Sequence, residues 1–311
     1  MASFVKRDFA ILSSQFDMQS RFYSGALRGI PDRIAIYLGT RNSDFTFSWF
    51  AYLQAYWAVR FSKRYGKKSV VVLGGFDVCE EEDPHLADRL PSIRFLMANA
   101  DCLLAVSERV KHKALKILPE ARVSVIYHGF DSNAYAIGAK EPIVTTIGYV
   151  RQGNLERKGL KVFVKVAGVL PELKFVLVGE WLDDSIQSLK SIAPSNVTFT
   201  GFLPNPALSD LLARTSVYVQ ASTHEGFGCS LAEAMLSGCT PVVSNRGAIP
   251  EVVGDTGFYV DPTDERSVAR GIQDAMSHPE QGAAARRRIS NLFPLERRRE
   301  LLLKAVEEVL E

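Results

Sequence analysis

Cysteine is scarce in this chain. Cys79, Cys102, Cys229 and Cys239 are the four present; none forms a Cys-x-x-Cys pair and none joins histidines at zinc spacing. That argues against a disulfide framework, and a reducing cytoplasm is the expected location. An excess of one charge is also lacking. Lys and Arg number 37 against 35 Asp and Glu, a formal net charge of +2, which argues against a nucleic-acid partner. No Asp-x-Asp metal motif stands out: Asp183-Asp184 reads as a helix start and Asp261-Pro-Thr-Asp264 as a turn, so no metal or other cofactor is expected. The N-terminus lacks the charged-then-apolar order of a signal peptide. The aromatic stretch Phe45–Val59 carries no charge, but Ser48 and Gln54 interrupt it and it falls short of the ~20 apolar residues that span a bilayer. It reads as a buried helix, the alternative being a face that touches lipid or a long apolar acceptor.

With 311 residues the chain suits two domains of roughly 150 residues each. Short β-branched runs alternate with longer amphipathic ones, the pattern of βαβ units and parallel sheets. In the first half strands are expected at Phe9–Leu12, Arg33–Leu38, Ser69–Leu73, Cys102–Val106 and Val123–Tyr127, with Phe9–Tyr23 as one helix being the alternative for the first. Helices are expected at Met18–Leu27, Phe47–Tyr65, Leu90–Ala98 and Glu108–Leu118. In the second half strands are expected at Ile143–Ile147, Phe175–Val178, Val197–Thr200, Val217–Gln220, Pro241–Ser244 and Phe258–Val260, again with helices between. Asp131–Pro142 lacks periodicity and is the expected linker, which divides the chain at 1–138, 139–280 and a helical tail at 281–311.

The chemistry concentrates between Val217 and Glu233. A buried strand enters a loop holding Gly226 and Gly228, and a helix follows. Ligands of open α/β sheets sit at the carboxyl ends of strands. Glycines admit close backbone approach, and a helix N-terminus favours phosphate. The turn therefore suits a nucleoside diphosphate. Glu225 is placed to reach sugar hydroxyls and Glu233 a ribose diol. Ser230-Leu-Ala-Glu233 also spells a capping box, in which Glu233 only closes the helix end. His224 would orient Glu225 or a substrate, or be structural.

Glu225-x7-Glu233, with Gly-Phe-Gly inside and Ala-Met-Leu-Ser-Gly-Cys-Thr-Pro-Val-Val after it, resembles the signature of glycosyltransferase family 4. Arg157-Lys-Gly-Leu160, Phe175-Val-Leu-Val-Gly179, Val197-Thr-Phe-Thr-Gly-Phe202 and Gly247-Ala-Ile-Pro-Glu-Val-Val-Gly254 resemble its other motifs in order and spacing. The resemblance implies a GT-B fold, two Rossmann-like α/β domains with parallel sheets facing across a cleft, and retaining, metal-independent transfer from a UDP- or GDP-sugar. It implies that Lys158 pairs with the donor diphosphate, that Phe202 and Leu203 border the base, and that Phe227, Gly228, Cys229, Ser230 and Leu231 supply amides and close packing. The family's arginine after the first glycine is replaced here by Tyr149, so Arg151 is the first substitute and Arg157 the second.

The N-terminal half departs from the family. Its Gly-rich phosphate loop is missing, with Ser24-Gly25-Ala26 and Arg28-Gly29 as stand-ins. Gly74, Gly75 and Asp77 follow a strand end that should meet the cleft, so Asp77 is an acceptor-side candidate, or else a turn-forming residue. His128 would line the cleft or shape a turn. The basic runs Arg286–Arg288 and Arg297–Arg299 are expected to be solvated faces, with peripheral contact to an anionic membrane at the cytoplasmic side as the alternative. The expected function is hexose transfer to an acceptor hydroxyl on a glycan, lipid or small molecule. The alternatives are a nucleotide-sugar-binding protein without transfer and another GT-B enzyme such as a sugar-nucleotide epimerase.

Overall fold

The computed structural model describes residues 3–21, 23, 29–79 and 86–311. The stand-ins Ser24, Gly25, Ala26 and Arg28 lie outside the described residues, as does the second half of the helix expected over Met18–Leu27; residues 18–21 and 23 of that stretch are not helical. The chain forms two units, Met1–Gly129 with Leu295–Glu311, and Phe130–Pro294. The dividing points thus fall at 129/130 and 294/295 rather than at 138/139 and 280/281.

The first unit begins with α1 (Ser3–Ser13) and α2 (Ile30–Arg41). Then come β1 (Phe45–Trp49), α3 (Leu53–Tyr65), β2 (Lys68–Leu73), α4 (Leu86–Asn99), β3 (Cys102–Ala105), α5 (Glu108–Ile117) and β4 (Val123–Val125). The strands form a parallel sheet in the order β1-β2-β3-β4. Three sequence expectations fail here, each for a local reason. Phe9–Leu12 is helical, because Asp8, Ile11 and Leu12 bury one helical face of α1. Arg33–Leu38 is also helical, since Pro31 sits in the first turn of α2 and Ile36 and Thr40 are buried four residues apart. The start of Phe47–Tyr65 belongs to β1, where Phe45, Phe47 and Trp49 alternate with Thr46 and Ser48. The chain then turns at Phe50, which takes φ 69°, before α3 begins.

The second unit runs β5 (Glu141–Ile147), α6 (Gln152–Leu155), α7 (Leu160–Val166), β6 (Lys174–Val178), α8 (Ser185–Lys190), β7 (Val197–Gly201) and α9 (Asn205–Arg214). It continues with β8 (Thr215–Gln220), α10 (Cys229–Leu236), β9 (Thr240–Ser244), α11 (Ile249–Val253), β10 (Phe258–Val260), α12 (Glu265–Ser277) and α13 (Glu280–Leu292). All pairs are parallel, in the order β10-β9-β8-β5-β6-β7. The winding runs outward both ways from β5 and β8, so the ends of these two strands form the topological switch point. One face is filled by α7, α8 and α12: Phe163, Val166, Leu189 and Ile272 pack on Val144, Val217 and Val219. On the other face α10 packs against β8, β9 and α13.

The last helix, α14 (Leu295–Leu310), belongs to the first unit and packs on α1, β2 and β3. Its anchor is Arg298, 3% exposed, which makes two 2.7 Å bonds to the carboxylate of Asp8 and donates to the Ile126 and Tyr127 carbonyls. The basic runs are therefore not simply solvated. Arg286 donates to the carbonyls of Ser132, Tyr135 and Leu236, and Arg288 to those of Glu251 and Val252. Leu236, Glu251 and Val252 lie in the last turns of α10 and α11, where a cation complements the helix dipole. Among the described residues no helix is long and apolar enough to cross a membrane.

Arg298→Met leaves the buried Asp8 carboxylate unpaired and should lower the unfolding free energy by about 3–5 kcal/mol. Pairing it with Asp8→Leu should recover most of that loss. Urea unfolding followed by tryptophan fluorescence measures both, because the Arg298 guanidinium lies 5.8 Å from the ring centre of Trp49.

Candidate functional site

Three loops meet at the switch point of the second unit. After β5 the chain makes the short α6 and then the basic turn Arg157-Lys158-Gly159. Gly159 adopts φ +67° and lies so close to β8 that a Cβ there would stand 2.3 Å from the Ala221 carbonyl oxygen. The Arg157 carbonyl accepts the Thr223 amide at 2.9 Å. From the far side, the Ala248 amide donates to the Glu225 carbonyl at 2.9 Å. Gly247, at φ +57°, presses on the Glu225 backbone, where a Cβ would come within 2.5 Å. The loops after β5, β8 and β9 therefore close around Glu225.

Glu225 is only 8% exposed. Its Oε1 accepts from Lys158 Nζ, from Gln220 Nε2 at 2.7 Å and from Ser222 Oγ at 2.9 Å. Burial is the largest single influence on its pKa and pushes it up. The Lys158 ammonium, the Ser222 hydroxyl and the charge of Arg157 together outweigh burial and hold the carboxyl below its ordinary value. Glu225 is thus an anion facing a cation, and Lys158 retains further N–H donors for a ligand.

Gly228, with φ 100°, precedes α10, and no side chain caps this helix. The capping-box reading is corrected by that geometry. Ser230 lies inside the first turn and its hydroxyl sits 3.1 Å from the Tyr218 hydroxyl. Glu233 is half-buried further along the helix, beyond the N-cap position. The first-turn amides of Ser230 and Leu231 point out of the start of α10, as at any helix N-terminus, so this end suits an anion. Phe227 packs inward between Phe130 and Phe293, at ring distances of 6.0 and 5.2 Å, which seats the Gly226–Gly228 loop. Phe202 stands 69% exposed just beyond β7, and Leu203 packs partly against the core beneath it. Arg157 donates to Asn154 at 2.7 Å and adds to the field on Glu225. Arg151, the first substitute for the family arginine, stands exposed at the start of α6 and acts on Asp183 instead. His224 is buried beside Glu225 in the chain.

A family model, Glycosyl transferases group 1, matches residues 131–291, more than half of the chain. The chain belongs to this family. O-antigen chain mannosyltransferase B of Escherichia coli is 30% identical over 40% of this chain and 35% of its own length. N-acetyl-alpha-D-glucosaminyl L-malate synthase of Bacillus anthracis is 27% identical over 74% of this chain and 65% of its own. The chain spans about a third to two thirds of the length of these curated relatives. Among solved structures, Anabaena HepE in complex with UDP and glucose matches with a TM-score of 0.80, covering 91% of this chain and 83% of that one at 19% identity. The shared fold is GT-B, built from two α/β units with parallel sheets.

The candidates in the first unit of this group 1 chain take structural places. Asp77 is fully buried, and its carboxylate accepts the amides of Ala51 at 2.7 Å, Gly75 at 2.8 Å and Gly74 at 3.0 Å. Burial pushes its pKa up against those bonds. The acceptor-side reading of Asp77 is therefore corrected to the turn-forming one. Gly74 and Gly75 belong to that turn, and a Cβ on Gly74 would strike the Phe50 ring at 2.2 Å. His128 stacks on Trp49 at 5.7 Å and packs on Phe4 at 5.1 Å. Burial, followed by the charges of Arg298 and Arg7, lowers its pKa well below the ordinary value, so it is a neutral packing residue. Among the described residues no cluster of three or more His, Cys, Asp or Glu could hold a metal ion.

Sequence reasoning passed over Tyr218, Gln220 and Ser222. A signal was present: polar Tyr218, Gln220 and Ser222 alternate with Val217, Val219 and Ala221 along a central strand and its exit. A buried glutamine there requires hydrogen-bond partners.

The depressed pKa of Glu225 fixes a sign. Its ionised form stabilises the fold above the unfolded pKa of about 4.3, and that stability is lost as pH falls through the lower folded value. Glu225→Gln should lower the melting temperature near neutrality and make it less sensitive to acid below about pH 4.3. Thermal melts across that range measure both effects.

Proposed function

We propose that this chain transfers a hexose from a UDP- or GDP-sugar to an acceptor hydroxyl on a glycan, a lipid or a small molecule, with retention of configuration. The observation that carries the proposal is the convergence of Lys158, Arg157, the uncapped start of α10 and Glu225 at the switch point. In this reading the basic pair and the α10 amides donate to a diphosphate, and Glu225 accepts from the attached sugar. Binding of UDP and glucose by a protein of the same fold supports the donor class.

In this reading Lys158 and Arg157 stabilise the charge that develops on the departing diphosphate, with the Cys229–Leu231 amides beside them. Glu233 accepts from the ribose diol, and Phe202 with Leu203 borders the base. The bond from the anomeric carbon to the phosphate oxygen breaks. The acceptor oxygen bonds on the same face, and its proton leaves on the diphosphate. The cations Lys158 and Arg157 supply charge that a metal supplies elsewhere, so turnover should persist in a chelator. Arg151 is set aside in favour of Arg157, which shares the field of Glu225.

A thermal-shift screen of UDP, GDP and their sugars tests the donor class, since a ligand at a hundred times its Kd stabilises by about 2.7 kcal/mol. No shift with any of them overturns the proposal. A shift without release of UDP or GDP in the presence of acceptors would favour a binding protein without transfer. Lys158→Ala should lower kcat by about 100-fold or more, and near wild-type turnover would remove its assigned role. Glu233→Gln should weaken nucleotide affinity by more than its change in melting temperature accounts for, because Glu233 lies beyond the N-cap position of α10. Calorimetric titration and melting separate these two effects.

A further inference from the structure

Gln220 ends the central strand β8 and is 2% exposed. Its Nε2 donates to Glu225 Oε1 at 2.7 Å and to Ser222 Oγ at 2.6 Å, and its Oε1 lies 3.1 Å from the hydroxyl of Tyr218. Tyr218 is wholly buried, and the same hydroxyl lies 3.1 Å from Ser230 Oγ in the first turn of α10. A continuous chain of hydrogen bonds thus links the carboxylate of Glu225 to the diphosphate end of the helix.

Every one of these bonds to Glu225 ends on one oxygen. Lys158, Gln220 and Ser222 all reach Oε1, and among the described residues none bonds Oε2. A carboxylate held so by donors from β8, its exit loop and the basic turn cannot rotate without breaking several bonds at once. An amide is the side chain that suits position 220, because it donates to the carboxylate while accepting from the tyrosine. A glutamate there would set a second negative charge against Glu225, and an aliphatic residue would take one bond each from Glu225, Ser222 and Tyr218.

We propose that Gln220 is a positioning residue for Glu225, and that it aims the Oε2 acceptor at one hydroxyl of the bound sugar while Tyr218 couples that aim to the first turn of α10. The inference rests on the donor-site reading above and deepens it. A single acceptor of fixed direction distinguishes epimers at the hydroxyl it meets, because the wrong epimer leaves a buried oxygen unpaired. Gln220 is then a determinant of sugar choice although it touches no sugar.

The test uses the full chain with Gln220→Leu and Tyr218→Phe. UDP and GDP are titrated by calorimetry, and transfer is measured with the donor that wild type uses and with its epimers. Gln220→Leu is expected to leave nucleoside diphosphate affinity within about 3-fold of wild type while lowering kcat/KM by about 10–100-fold, the effect that losing the partner which orients a metal ligand has on metal sites. Preference between epimers should shrink in step. The acid limb of kcat/KM should move to higher pH, because removing a donor from a carboxylate raises its pKa while Lys158 and Arg157 still lower it and Tyr218 stays neutral. Tyr218→Phe, which removes one oxygen and keeps the packing, should give a smaller change in the same direction, and it carries the test if Gln220→Leu does not fold. An unmoved acid limb with unchanged epimer preference overturns the proposal, as does a nucleotide affinity that falls as far as kcat/KM. Wild type that binds neither UDP nor GDP would sink the donor-site reading and this inference with it. Wild type that binds and transfers, with variants that behave like it, would sink this inference alone.

Discussion

A parallel sheet wound outward in both directions from its centre must send the connections of its two central strands to opposite faces. In the second unit those strands are β5 and β8. The chain leaving β5 enters α7, which shares its core with α12, and the chain leaving β8 enters α10, which packs against α13. Between the departing connections the strand ends are left uncovered. The rest of the site follows from how that opening is lined: a basic turn from one side, a glycine loop and helix start from the other, and the Gly247 loop after β9 bearing on both through Glu225.

Such an opening is a place where charge can be buried without being neutralised by solvent, and the sequence supplies charge in pairs. Glu225 would be costly as an isolated buried anion. Lys158, Ser222 and Arg157 make it the stable ionised form, and the bonds from Lys158, Gln220 and Ser222 orient it. Asp77 and Asp8 show the alternative use of a buried carboxylate. Asp77 spends its oxygens on backbone amides, and Asp8 faces a guanidinium bound on all sides. The difference between these acids lies in what each oxygen already accepts: Glu225 takes its bonds on Oε1, whereas Asp77 and Asp8 use both oxygens.

Arginine carries the corresponding structural role at the helix ends. Arg286 and Arg288 sit at the C-termini of α10 and α11, and Arg298 joins α14 to α1 and to the chain after β4. Each belongs to a run of three that reads as a solvated face, yet Arg287, Arg297 and Arg299 are the exposed members. A planar group with several donors can satisfy carbonyls from segments that meet only after folding.

The inner strands of the second unit were legible because they are short runs rich in β-branched residues and bounded by glycine, proline or polar turn residues. That pattern reflects burial on both sheet faces and is local. The Glu225–Glu233 segment was legible for the same reason: strand, glycine turn and helix start are contiguous. The first unit resisted, since Phe9–Leu12 and Arg33–Leu38 are apolar runs too short for periodicity to separate strand from helix. Only tertiary structure decided that Gly228 rather than Ser230 precedes α10, that Arg157 rather than Arg151 acts on Glu225, that Asp77 is occupied by backbone, and that Gln220 belongs to the site. The reason is separation along the chain: Lys158 meets Glu225 across 67 residues and Asp8 meets Arg298 across 290, and no local pattern records which distant partner a buried charge will find.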